Sequence, residues 1–114
     1  MQSRFRVDVR NDAGAAVIAV AGELDLATSP DFEAELLGAL HGGAGVVILD
    51  LRELDFMDST GLSVLVKAHR AAEEGSRHLY LIKGPPQVQR LLSLTGVGER
   101  LTVVDSPDDV PGRG

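Results

Sequence analysis

The sequence predicts an α/β domain with a mixed, mostly parallel sheet, an N-terminal hairpin and helices packed on the sheet. Three observations predict it. A period-2 stretch opens the chain, and a turn string, Asn11-Asp12-Ala13-Gly14, joins it to a second strand-like stretch, Ala15 to Ala21, which is a hairpin pattern. Beyond them, helical-period segments alternate with short apolar runs, and that alternation needs crossovers and parallel neighbours. The chain has 114 residues, enough for one hydrophobic core and too few for two. The expected domain is 1–105, followed by a short polar, proline-broken tail, 106–114, that is expected to fray.

Each element has its own warrant. Phe5, Val7 and Val9 alternate with Arg4, Arg6, Asp8 and Arg10 as in a strand with one buried face. Ala15 to Ala21 is its hairpin partner. Thr28 or Ser29 is placed to cap a first helix, with Pro30 in its first turn and Asp31 and Glu33 near its positive end. Phe32, Leu36, Leu37 and Leu40 give that helix one apolar face, and Gly42-Gly43 ends it. Val46 to Leu49 is a continuous apolar run, the mark of a central strand covered on both faces. After a loop through Phe56 a second helix starts near Ser59, carries Leu62, Leu65, Val66 and His69 on one face, and stops at Gly75. His78 to Ile82 is the next strand. Gly84-Pro85-Pro86 opens a short helix with Val88, Leu91 and Leu92 inward, Gly96 closes it, and Leu101 to Val104 is the last strand.

Composition narrows the function. Hydrophobic residues are 44% and charged residues 25% of the chain, so whole-chain disorder is not expected. No apolar run approaches a membrane span, and the start, Met1-Gln2-Ser3-Arg4-Phe5, has no signal-peptide core. A cytoplasmic location without membrane contact is expected. The formal net charge is −6 with no basic stripe, which argues against a nucleic-acid partner. There is no cysteine, so disulfides, thiolate metal sites and a cysteine nucleophile are excluded.

The chemistry-bearing segment is Leu54-Asp55-Phe56-Met57-Asp58-Ser59-Thr60-Gly61-Leu62. It joins a buried strand to a helix, where parallel sheets commonly place their function. Ser59 would stand at a helix N-terminus, a place that favours negative charge and tolerates phosphate. The plain alternative is that Asp58 or Ser59 only caps the helix. Gly61 in the first turn hints that something approaches closely. Asp25, in Gly22-Glu23-Leu24-Asp25, follows another strand. It serves either turn chemistry or the neighbourhood of Ser59.

Enzymatic readings fit poorly. A nucleophile elbow needs G-x-S-x-G, and Met57 replaces its first glycine. A small serine hydrolase using Ser59 would also need a base, whereas His41, His69 and His78 fall on helix or strand positions. Asp58-Ser59-Thr60-Gly61 has one residue too many for an aspartic-protease motif. Asp50 and Lys83 suggest a phosphoacceptor receiver domain, but the opening hairpin lacks the acidic pair that would hold Mg²⁺. No phosphate-cradling glycine loop is present, so no cofactor is expected.

Taken together, Gly22-Glu23-Leu24-Asp25, Asp50-Leu51 and the 54–62 string resemble the STAS family, and within it the branch of bacterial anti-sigma factor antagonists. The resemblance runs on through Val88 to Leu94 and Gly96-Val97 and covers roughly 5–104. It implies a non-enzymatic binding module whose partner is an anti-sigma factor with serine kinase activity. The unphosphorylated antagonist captures that partner and frees a sigma factor for transcription. It further implies Ser59 as the phosphoacceptor and a metal-dependent serine phosphatase that resets the protein. Asp25, Phe56, Met57, Asp58, Ser59, Thr60, Gly61 and Leu62 would then meet the partner. Other branches would make the chain a stressosome component or a subunit of an ABC lipid-transport complex. The family usually closes with a further amphipathic helix that 106–114 is too short to supply. A thinly covered core face, and a monomer or weak dimer, are the expectation.

Overall fold

The computed structural model describes residues 5–111. Arg4 and residues 112–114, parts of the expected first strand and tail, lie outside that range. The first two strands, β1 (Phe5–Asp12) and β2 (Ala15–Leu24), are antiparallel and in unbroken register from Phe5↔Gly22 to Asp12↔Ala15. Ala13 and Gly14 turn between them with φ of 51° and 85°. Two positive φ values define the two-residue turn whose twist suits a hairpin.

The chain continues through α1 (Ser29–Leu40), β3 (Val46–Met57), α2 (Ser59–Glu74), β4 (His78–Ile82), α3 (Pro86–Thr95) and β5 (Thr102–Val104). Single 3-10 turns follow α3 at Val97–Glu99 and β5 at Pro107–Asp109. The sheet order is β1-β2-β3-β4-β5, and every pairing after the hairpin is parallel. Crossovers between parallel strands are right-handed, so a sheet that always steps in one direction receives all its helices on one face. The main core is accordingly continuous. Phe32, Leu36 and Leu40 of α1, Leu65 and Ala68 of α2, and Val88 and Leu92 of α3 bury against Ile18, Val20, Val47, Leu49 and Leu81. Among the described residues no helix is long and apolar enough to cross a membrane.

Two expectations are corrected. β2 runs to Leu24 and β3 to Met57, so the segment expected to loop through Phe56 is strand. Its period was disguised by two register shifts against β2, between Ala19 and Ala21 and between Gly22 and Glu23. Each shift adds one residue to β3 and moves the inward face along by one. Leu51, Leu54 and Met57 are therefore all buried although their spacing is neither helical nor alternating.

The tail does not fray through its described part. Ser106 and Asp109 form a reciprocal capping box around the 3-10 turn, and Val110 is only 1% exposed. Val110 sits on the sheet face away from the helices, against Ala15, Val17, Ile48 and Ile82. One valine thus closes a small second core that sequence polarity concealed. Val110→Ala removes two buried methyl groups and should lower unfolding free energy by about 1.5 kcal/mol. A urea titration with an unchanged m-value would register this, and a midpoint equal to wild type would contradict the packing.

Candidate functional site

The two strings singled out in the sequence lie side by side. Glu23 pairs with Phe56 and Leu24 with Met57 at the carboxyl ends of β2 and β3. The Asp58 N–H then donates to the Leu24 carbonyl at 3.1 Å, which seals the two strand ends together just before α2 begins. Gly61 explains why α2 fits so closely there. A Cβ on Gly61 would come within 2.8 Å of Leu24 Cγ and Cδ2 and 3.0 Å of Met57 Cγ. The first turn of α2 rests on those two side chains, and any larger residue would displace either them or the helix.

The capping question resolves in favour of Asp58. Its carboxylate accepts from Thr60 N–H at 2.8 Å and Gly61 N–H at 3.3 Å. Ser59 is the first helical residue, and its side chain is exposed. The helix therefore does not need the Ser59 hydroxyl for its own start. That hydroxyl sits beside the positive end of α2 and next to one carboxylate, Asp58.

Asp25 performs turn chemistry. Its carboxylate accepts from the N–H groups of Ala27 and Thr28 at 3.0 and 3.1 Å, and its own N–H donates to the Thr28 hydroxyl oxygen at 3.0 Å. Thr28 occupies the cap position of α1 but makes no side-chain bond to the helix. Its hydroxyl instead donates to the Glu23 carbonyl at 2.8 Å. The pair holds the β2–α1 loop rigid beside the start of α2.

The remaining predicted residues divide by burial. Met57, Gly61 and Leu62 are buried, so they shape the surface from beneath. Phe56 is 47% exposed, Ser59 is exposed, and Asp25, Asp58 and Thr60 are half-buried. Sequence reasoning missed Leu26, which is 75% exposed. With Pro30, Ala34, Leu37 and Val64 it lines a groove of about 390 Å³ between α1 and α2, reaching Thr60 and Ser63. The only available signal was an apolar residue inside a tight polar turn.

The other candidates have local duties. Asp50 holds Arg52 through two side-chain bonds, 3.0 and 2.8 Å, and accepts the Arg52 N–H at 3.0 Å. Burial pushes the Asp50 carboxyl up, but these bonds and the charges of Arg52 and Arg10 outweigh it and hold the pKa below 3.8. His69 lies 3.5 Å from Glu73 on α2, His78 stacks with Tyr80, and His41 follows the end of α1.

Comparison with known proteins places this arrangement in a family. The STAS domain model matches residues 6–110. The chain belongs to the STAS domain family. An anti-sigma-B factor antagonist of Staphylococcus epidermidis is 31% identical over 86 residues, 75% of this chain and 80% of that protein. A crystal structure of an anti-sigma factor antagonist from Mycobacterium paratuberculosis superposes with a TM-score of 0.86 at 23% identity, covering 93% of this chain and 90% of the other. The antagonist SpoIIAA in its unphosphorylated form superposes with a TM-score of 0.75 at 23% identity over 94% and 93% of the two chains. The Bacillus cell fate determinant SpoIIAA in its phosphorylated form gives 0.69 at 22% identity over 94% and 96%. At these identities the structural matches establish the STAS fold.

Two outcomes follow. Gly61→Ala should cost about 1–3 kcal/mol, because Leu24 or Met57 must leave its rotamer or α2 must shift; thermal unfolding measures it, and an unchanged Tm would refute the contact. Asp50 has a depressed folded pKa, so its contribution is present above the ordinary value of 3.8 and is lost as pH falls through the folded value. Arg52→Gln should lower stability at neutral pH and leave less of it to lose in acid, so the two pH–stability curves converge as pH falls below the ordinary carboxylate value. Coincident pH–stability curves for the two proteins would show that the pair does not hold that pKa.

Proposed function

We propose that this STAS domain is an anti-sigma factor antagonist whose hold on its partner is switched by phosphate on Ser59. One observation carries the reading. Ser59 stands exposed at the start of α2 while Asp58 supplies the cap, so its hydroxyl can be modified without removing a bond that the fold uses. The antagonist names of the Staphylococcus relatives support the partner class, and SpoIIAA, a protein of the same fold, has been solved with and without phosphate.

In this reading the partner is a cytoplasmic anti-sigma factor with serine kinase activity. The unphosphorylated chain presents Phe56, Ser59, Thr60 and the half-buried edges of Asp25 and Asp58 to it, over a floor of Met57, Gly61 and Leu62. Capture of that partner frees a sigma factor for transcription. The kinase then transfers the γ-phosphoryl group of ATP to Ser59 Oγ, with loss of the hydroxyl proton and departure of ADP. A metal-dependent serine phosphatase hydrolyses the ester and restores the binding surface.

The physical switch is local. Phosphoserine carries about −1.5 to −2 charges near neutral pH. At the first helical position the backbone dipole accommodates that charge, so the fold survives. Across an interface the same charge must be desolvated beside Asp58 and within a surface packed for a small neutral hydroxyl. A penalty of about 1.4 kcal/mol already weakens binding tenfold.

Pull-down from native extract with wild-type and Ser59→Asp protein tests this, with partners identified by mass spectrometry. The Asp variant should fold normally and bind the anti-sigma factor at least about tenfold more weakly. Incubation with ATP and the recovered kinase should add one phosphate to wild type and none to Ser59→Ala. Phosphate mapped to another residue, or undiminished binding by Ser59→Asp, would sink the proposal.

A further inference from the structure

The sheet has an unpaired edge at β1. In the order β1-β2-β3-β4-β5 no strand of the described residues lies beyond β1, and its eight residues form a regular ladder without a bulge. Such an edge is a template for another strand. Proteins protect exposed edges with charges, prolines or bulges; β1 has no proline or bulge, and its four charges would repel a second copy only if they shared one sign.

Its charges alternate in sign instead. Phe5 and Val7 pack toward the helix side of the sheet. Side chains of a strand alternate between faces, so Arg6, Asp8, Arg10 and Asp12 share the other face, and all four are exposed. Arg6 and Asp8 already attract each other along the strand, at 3.4 Å, and Arg10 also feels Asp50 of the same sheet.

Among the registers that pair outward groups, the one centred on Val9 matches the most charges. The two-residue turn joins Asp12 and Ala15, which form the hydrogen-bonded pair closing a turn of this type. Hydrogen-bonded pairs alternate along an antiparallel ladder. Arg10, Asp8 and Arg6 therefore turn their N–H and C=O groups toward β2, while Asn11, Val9 and Val7 turn theirs outward. If a second β1 approaches antiparallel with Val9 opposite Val9, these outward groups pair, Val7 with Asn11 in both directions. The same register sets Arg10 opposite Asp8 and Arg6 opposite Asp12, each twice by symmetry. These are the non-hydrogen-bonded positions, where side chains stand closest. Val9, 47% exposed in the single chain, is covered by its own symmetry mate.

We propose that β1 docks a second copy of this chain, edge to edge and antiparallel about Val9, to give a two-fold symmetric dimer with one continuous sheet. The occupant follows from the charge pattern. A strand with the order plus, minus, plus, minus complements itself only when reversed, and a two-fold axis supplies that reversal. Opposite charges directly across an antiparallel pair attract, and like charges there repel. The contact uses none of the residues around Ser59, so it stands or falls separately from the phosphate switch.

Sedimentation equilibrium over a concentration series tests the dimer with three proteins. Wild type should show a monomer–dimer equilibrium that weakens as salt is raised. Arg6→Asp with Arg10→Asp makes the strand wholly acidic, and Asp8→Arg with Asp12→Arg makes it wholly basic. Each should self-associate at least tenfold more weakly than wild type, while the two mixed should form a heterodimer. Circular dichroism confirms that each variant is folded, and heterodimer formation shows that each retains a competent edge. A wild type that stays monomeric at the highest attainable concentration overturns the proposal. So does a dimer indifferent to both reversals, which would use another face.

Discussion

Everything near Ser59 depends on how β2 and β3 end. The two strands stay paired to Leu24 and Met57, and the Asp58 N–H closes on the Leu24 carbonyl immediately afterwards. That one bond fixes where the chain leaves the sheet. Leu24 and Met57 then form a low floor on which only a glycine-bearing helix turn can rest. The direction of α2 follows from that seat, and so does the outward aim of Ser59. The register shifts in β3 serve the same end, since they bring Leu54 and Met57 inward after a polar stretch that would otherwise have turned the strand over.

The site also separates two duties that adjacent residues often share. Asp58 satisfies the open N–H groups of α2 and is committed to that task. Ser59 is left exposed with no capping task. Asp25 and Thr28 bind each other and the neighbouring backbone, so the adjacent loop is rigid before any partner arrives. A surface built this way has little to rearrange on binding, which limits the ordering cost of association.

Much of this was legible in the sequence, because the signals were local. The hairpin turn, the apolar faces of α1 and α2, the run Val46 to Leu49 and the glycine stop at Gly96 each announce one element by residue type and spacing. The segment from Leu54 to Leu62 was legible as a strand-to-helix junction, and Gly61 as a close approach. What escaped was non-local. The bulges that carry β3 to Met57 exist only relative to β2. Leu26 becomes part of a groove only once α1 lies beside α2. Val110, set among aspartates and prolines, has no periodic partner in sequence, and its burial depends on strands far away along the chain. Thr28 was readable as a cap, yet its hydroxyl found a better acceptor in Glu23 across the loop.

The Val110 contact has a consequence for how the chain is made. Ala15 and Val17 are synthesised early, as part of a hairpin that can form within microseconds. Their cover, Val110, lies at the far end of the described chain. During translation the back of the sheet must wait with its apolar patch open while every intervening strand emerges and docks. The helix-side core can assemble progressively, one crossover at a time. The other side closes only when residue 110 has left the ribosome, and until then it is the face on which a chaperone would find this nascent protein.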